Sequence, residues 1–265
     1  MGNERAFIES ILHGVSPYVR EQHARRHLVA VSSKTGPNDL LTEVDSEVQR
    51  RIVNAIARAN PGDNVVAEED GMNHAPNDLN ARCWIIDPID GTQNFVRGLF
   101  PMFGVSIAFA EGRQVRAGGV MMPIVDDLFL AERGKGATRN GAALRVSERA
   151  DLATARVEID FGNPTIRRDS LDRFSGFIEH AGEVRTVCAA VVGLCSIAAG
   201  EVDGYVNVGL SEWDYAAAAL IVEEAGGTVS RLDGSPVTLF DGRCGMLATN
   251  SLLHEQCLQT IRPGR

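Results

Sequence analysis

A helix-covered antiparallel sheet followed by an α/β half is the fold class this sequence predicts, and three observations carry that prediction. Apolar segments at 103–110, 115–122 and 128–132 follow one another with only Glu111-Gly112 and Asp126-Asp127 as turns between them. That is the layout of a meander, and so of antiparallel strands. Beyond 147–154 the pattern changes to strands alternating with helices. At 265 residues and 44% hydrophobic content the chain can bury a full core, as one large domain or two smaller ones. The change of pattern divides it into sub-domains 1–147 and 148–265, with their junction as the natural cleft.

The elements follow in order. Residues 4–26 carry Phe7, Ile8, Ile11, Leu12, Val15 and Val19 at helical spacing. Leu28-Val29-Ala30-Val31 fits a strand or the end of that helix, and 34–38 fits a loop. A second helix starts near Thr42, with Val44, Val48, Ile52 and Ile56 on one face and Pro61-Gly62 to end it. Thr42-x-x-Asp45 at its start has the form of a capping box. A short strand at 65–67 runs into Glu68-Glu69-Asp70-Gly71, which taken alone is a solvated acidic loop, and 74–80 is polar surface loop. Cys83-Trp84-Ile85-Ile86 is a buried strand that stops at Asp87, followed by a tight turn with Asp90, Gly91 and Thr92. Pro88 pushes Asp87 towards extended backbone, and Gly91 lets the chain fold back. After the meander, Gly134-Lys135-Gly136 lacks the third glycine of a dinucleotide loop, because Arg139 stands there, and Asn140-Gly141 reads as a hairpin tip. The second half alternates strands at 157–161, 184–188, 205–208, 228–229 and 246–248 with helices at 166–180, 189–199, 211–225 and 252–261.

Charge and composition exclude several classes. The net charge is −9, and no basic cluster exceeds Arg25-Arg26 with His27, which argues against a nucleic-acid partner. No apolar run approaches the roughly 18 residues of a membrane span, and the N-terminus lacks a signal-peptide core. Five widely spaced cysteines without a C-x-x-C fit reduced core thiols in a cytoplasmic protein.

Asp87 and Asp90 are the chemically expensive pair. Like charges about 4 Å apart repel by roughly 4 kcal/mol at an effective dielectric of about 20. A divalent cation makes such a pair stable, and hard oxygen ligands point to Mg²⁺, Mn²⁺ or Ca²⁺ rather than Zn²⁺. The same D-x-x-D is also an ordinary turn. Ser211-x-x-Asp214, entering the helix at 211–225, can likewise be a capping box or a third carboxylate placed where a helix N-terminus favours an anionic ligand.

Together these pieces resemble the inositol monophosphatase family of Mg²⁺-dependent, lithium-sensitive phosphomonoesterases. Its first motif stands here as Trp84-Ile85-Ile86-Asp87-Pro88-Ile89-Asp90-Gly91-Thr92. Its second is Trp213-Asp214-Tyr215-Ala216-Ala217-Ala218, ending in Glu224-Ala225-Gly226-Gly227. Leu41-Thr42-Glu43-Val44-Asp45 and Val66-Ala67-Glu68-Glu69 match two lesser segments, so the resemblance covers nearly the whole chain. It implies a layered αβαβα sugar-phosphatase fold, a homodimer and two or three Mg²⁺ ions. Glu68, Asp87 and the Ile89 carbonyl would hold the first ion; Asp87, Asp90 and Asp214 the second; a third, held largely by water, would lie near Glu68. Thr92, polarised by Asp45, would orient and deprotonate the attacking water, with Glu68 also at the catalytic centre. The amides of Gly91 and Thr92 would cradle the phosphate. Glu69 and Lys34 match positions near the site without a definite role.

The substrate side departs from the family's animal members. Asn207 stands where they carry a Glu that bonds inositol hydroxyls, and Cys188-Ala189-Ala190 replaces a Gly-Thr-Ala segment. The expectation is therefore a small phosphorylated alcohol, inositol 1-phosphate first, bound by Gly91, Thr92, Ala190, Asn207 and Asp214. The alternatives are histidinol phosphate, fructose 1,6-bisphosphate or a 3′-phosphoadenosine phosphate. A regulatory binding protein on the same fold is the non-enzymatic alternative.

Overall fold

The computed structural model describes residues 3–33, 40–98, 102–162 and 164–264. Along them run α1 (Glu4–Ala24), β1 (Val31–Ser33), β2 (Leu40–Thr42), α2 (Glu43–Ala59), β3 (Asn64–Ala67), β4 (Arg82–Asp90), α3 (Thr92–Arg97), β5 (Gly104–Glu111), β6 (Gln114–Met122), β7 (Asp127–Glu132), β8 (Ala137–Arg139) and β9 (Ala142–Ala143). There follow β10 (Arg156–Asp160), α4 (Arg167–His180), β11 (Glu183–Arg185), α5 (Ala190–Ala198), β12 (Gly204–Leu210), α6 (Glu212–Glu224), β13 (Thr228–Arg231), β14 (Cys244–Thr249) and α7 (His254–Thr260).

The larger sheet has the order β3-β4-β5-β6-β7-β8-β9. β3 and β4 are parallel, and the remaining pairs are antiparallel. The predicted meander is therefore present, with Asn140 and Gly141 both at positive φ in the β8–β9 hairpin. The second sheet has the order β11-β10-β12-β14-β13. Its first three strands are parallel and the β12–β14–β13 edge is antiparallel, so the α/β pattern holds for only part of the second half.

Strand alternation explains the layers. On β4, Ile85 faces a core shared with α5 and α6, whereas Trp84 and Ile86 face a core shared with α1 and α2. A strand buried on both faces must be apolar at successive positions, as this one is. The middle core also takes Tyr205 of β12 and Met246 of β14. On the far face, Val157, Ile159 and Val206 pack on Phe174 and Phe177 of α4 and Cys257 of α7. The order of layers is helix, sheet, helix, sheet, helix, as the resemblance implied. The alanine run of α6 lets the helix lie close on the larger sheet. A Cβ at Gly118 of β6 would sit 2.9 Å from the Ala217 Cα.

Four expectations are corrected. β4 does not stop at Asp87 but runs to Asp90, with a register shift between them as pairing passes from Ser106 to Gly104. The expected tight turn is the start of α3. Residues 28–31 extend neither α1 nor a long strand; Arg26–Leu28 is one 3₁₀ turn and the strand begins at Val31. The strand expected at 184–188 ends at Arg185, and Cys188 adopts φ +60°, which no strand continues through. The loop at 34–38, with Lys34, lies outside the described residues.

Candidate metal and phosphate site

In a regular strand, residues three apart point to opposite faces. The irregularity between Asp87 and Asp90 alters that parity, so the two carboxylates meet at the strand end. Asp214 arrives from the other half of the chain, on the first turn of α6. One oxygen from each of the three lies within 4.8 Å of the others. Backbone amides pin them individually. Ile89 N donates to Asp87 Oδ1 at 3.0 Å, Val191 N to Asp90 Oδ2 at 2.9 Å, and Ser211 N to Asp214 Oδ2 at 2.7 Å. Glu68, at the end of β3, hangs its backbone on β4 by Glu68 N to Ile86 O at 3.3 Å.

The electrostatics are unfavourable without a cation. Burial, then repulsion from Glu68, Asp90, Asp214 and Asp45, pushes Asp87 well above the ordinary carboxylate range. Burial and Asp214 push Asp90 the same way against the Val191 bond. Burial and Glu68 raise Asp214 to about 7. An all-oxygen donor set under mutual repulsion fits a hard divalent cation.

Beside this cluster, α2 and α3 place a hydroxyl against a carboxylate. Asp45 is fully buried and caps α2 by accepting the Thr42 amide at 3.0 Å and the Thr42 hydroxyl. Its other oxygen, Oδ1, lies 3.3 Å from Thr92 Oγ1, which is also 3.1 Å from Ile89 O. Asp45 thus serves as a cap and as a partner of Thr92 at once. Asp214 is likewise in a capping box with Ser211 and in the acidic cluster. Gly91 precedes α3 at φ +87°, and a Cβ there would lie 2.9 Å from Ala189 Cβ and 3.2 Å from Met102 O. The first intrahelical bond of α3 is Asn94 N to Gly91 O at 2.8 Å, so the amides of Gly91 and Thr92 precede the bonded ladder.

A cavity of about 170 Å³ opens from Asp90 and Asp214 towards Ala190, Asn207, Cys188 and Arg243. Asn207 is buried, and its amide is engaged locally, Oδ1 by Gly209 N at 2.8 Å and Nδ2 with Tyr205 Oη at 3.3 Å. Glu69 is also buried, and its backbone is clamped by the Gln49 side chain through bonds of 2.8 and 2.9 Å. The structure therefore brings Asp45, Asp87, Ile89, Asp90, Thr92 and Asp214 together at the ends of β4, α2 and α6, with Glu68 the charge neighbour of Asp87 and Asp214.

Sequence reasoning missed Asp160. It ends β10 in register with Asn207 and lines the same cavity. Burial raises its carboxyl, opposed by the Gly162 amide. Its one sequence signal is an acid at the carboxyl end of a strand in an α/β half, where ligands collect. A larger cavity of about 630 Å³ lies beside α5 and contains none of the clustered acids. The convergence of carboxylates, rather than cavity size, locates the site.

Comparison with known proteins agrees with this geometry. The family model described as "Inositol monophosphatase family" matches residues 5–264. The fructose-1,6-bisphosphatase/inositol-1-monophosphatase of Thermotoga maritima is 35% identical over 235 residues, 87% of this chain and 86% of that protein. The Nus factor SuhB of Pseudomonas aeruginosa is 37% identical over 243 residues, 90% of this chain and 88% of that protein. The crystal structure of extragenic suppressor protein suhB from Bartonella henselae superposes with a TM-score of 0.89 at 27% identity, covering 100% of both chains.

Proposed function

The chain belongs to the inositol monophosphatase family, and from that premise we propose that it is a Mg²⁺-dependent phosphomonoesterase acting on a small polyol phosphate, inositol 1-phosphate first. One observation carries the reading: carboxylates from two distant parts of the chain, Asp87 and Asp90 on β4 and Asp214 on α6, meet within 4.8 Å. Glu68, Asp87 and the Ile89 carbonyl would hold one ion, and Asp87, Asp90 and Asp214 a second, with a third near Glu68. Bound Mg²⁺ supplies neutralisation of the phosphate dianion and of the leaving alkoxide.

The chain's own groups do the rest. Asp45 Oδ1 accepts the Thr92 hydroxyl proton, leaving Thr92 Oγ1 to accept from the attacking water and orient it. Glu68 adds a second carboxylate beside that water. The amides of Gly91 and Thr92 donate to phosphate oxygens. In-line displacement needs water and leaving oxygen on opposite sides of phosphorus, which puts the alcohol in the cavity bordered by Ala190, Asn207 and Asp214. The five free cysteines suit a reducing cytoplasm. We take the working form to be a homodimer.

Phosphate release with Mg²⁺ on inositol 1-phosphate, histidinol phosphate, fructose 1,6-bisphosphate and 3′-phosphoadenosine 5′-phosphate tests the reading. Turnover should vanish with chelator and fall at least about 100-fold in Asp90→Asn and Asp214→Asn. Full turnover in both variants would sink the metal assignment. Inertness towards every ester would favour a regulatory binding protein, the alternative that the name of the Pseudomonas relative keeps in view.

A further inference from the structure

Asn94 sits in the stretch that carries Asp87, Asp90, Gly91 and Thr92, yet none of the roles above uses it. The residue is 9% exposed. Nδ2 donates to Met102 O at 2.7 Å and to Val187 O at 2.8 Å. Both donors of one amide are thus consumed by backbone carbonyls from the two halves of the chain. Met102 leads into β5, and Val187 leads into Cys188 and α5.

The segment after Val187 touches the site at two further points. A Cβ at Gly91 would collide with Ala189, and Val191 N holds Asp90. The alcohol side and the phosphate side therefore share one stretch of backbone.

α3 has only six residues, too few to hold its own orientation. Thr92 and Asn94 are two residues apart, so they point about 160° away from each other around the helix axis. Thr92 reaches Asp45 of α2 on one side, and Asn94 reaches the junction on the other. Phe95 is fully buried, with its ring 5.2 Å from that of Phe103, and sets how deep the helix sits. Rotation about the axis is left to Asn94. A turn of about 20° would move the Thr92 hydroxyl by about 1 Å and part it from Asp45, now 3.3 Å away.

We propose that Asn94 is a positioning residue for hydrolysis: its paired bonds lock the rotation of α3 and hold Thr92 against Asp45. The inference rests on Thr92 and Asp45 being the pair that prepares the water, as proposed above.

A double-mutant cycle tests it, in the full chain with saturating Mg²⁺ and the best ester of the panel. Asn94→Ala should lower kcat about 30- to 100-fold, the scale of a 1 Å misplacement. KM and the Mg²⁺ half-saturation should stay within about threefold, because the carboxylates sit on β4 and α6. In a Thr92→Val background the same change should cost less than about threefold, since the hydroxyl that Asn94 positions is gone. An equal factor in both backgrounds, or no loss in either, would overturn the inference alone. Full turnover by Thr92→Val by itself would sink the water-activating pair and this inference with it. Should Asn94→Ala fail to fold, Asn94→Ser, which retains one donor, is read through the same cycle against the same outcomes.

Discussion

Removing the cation should make this protein less stable as the pH rises, and Asp90→Asn should relieve that. Two carboxylate oxygens within 4.8 Å of each other repel by at least about 3.5 kcal/mol at an effective dielectric of about 20. The folded chain answers by holding protons: Asp87 and Asp90 are raised well above the ordinary range, and Asp214 to about 7. A carboxyl raised on folding contributes stability that is complete below its unfolded pKa and is lost as the pH rises through its folded pKa. For Asp214, whose folded value is about 7, the part of that loss between pH 6 and 8 amounts to about 1.4 kcal/mol. In a chain of 265 residues this lowers Tm by at least about 3 °C. Asp90→Asn removes one charge and keeps an oxygen for Val191 N. It should raise the metal-free Tm at pH 8 by about 2–6 °C and flatten the slope. Saturating Mg²⁺ should flatten the wild-type slope too. The assay is calorimetric melting in chelator and in Mg²⁺ at pH 6, 7 and 8. A flat metal-free profile, or a slope untouched by both Asp90→Asn and Mg²⁺, would refute the reasoning.

Two further outcomes follow from the same geometry. Gly91→Ala places a Cβ at φ +87°, 2.9 Å from Ala189 Cβ; it should lower Tm by about 3–6 °C and raise KM for every ester alike, and normal melting with normal kinetics would count against the phosphate cradle. Asp160→Asn should reorder the KM values across the ester panel while the Mg²⁺ half-saturation stays put; one common factor for all esters would show that Asp160 does not face the alcohol.

The layered fold was legible because its strands announce themselves by composition. Trp84-Ile85-Ile86 is apolar on both faces because α1 and α2 cover one and α5 and α6 the other. The capping boxes at Thr42 and Ser211 were visible as spacing, and both are formed. Spacing could not show that Asp45 spends one oxygen on the cap and offers the other to Thr92, because that depends on how α3 docks. The register shift in β4 was hidden for a related reason. Asp-Pro-Ile-Asp-Gly reads equally as a turn, and only pairing with β5, resumed at Gly104, shows that the strand continues.

If phosphate and alcohol bind as proposed, the two walls of the site differ in how they are encoded, and the difference is physical. The phosphate wall is built from one continuous stretch, Asp87 to Thr92, joined by Asp214 at a helix start, so short motifs describe most of it. The alcohol wall draws Asp160 from the end of β10, Cys188 and Ala190 from either side of the α5 start, Asn207 from β12 and Arg243 from the approach to β14. No spacing relates these residues, because each is delivered by a different element of the second sheet or its connections. The two walls meet in the backbone of 187–191, which accepts from Asn94, packs on Gly91 and donates to Asp90. A change in the alcohol wall is therefore not insulated from the chemistry. A substitution that moves this stretch to fit another substrate would also disturb α3 and Asp90, whereas Asp160 and Arg243 reach the cavity without lying in it. On the proposed reading, substitutions at those two positions should retune specificity with the phosphate machinery left in place, and substitutions in 187–191 should cost turnover.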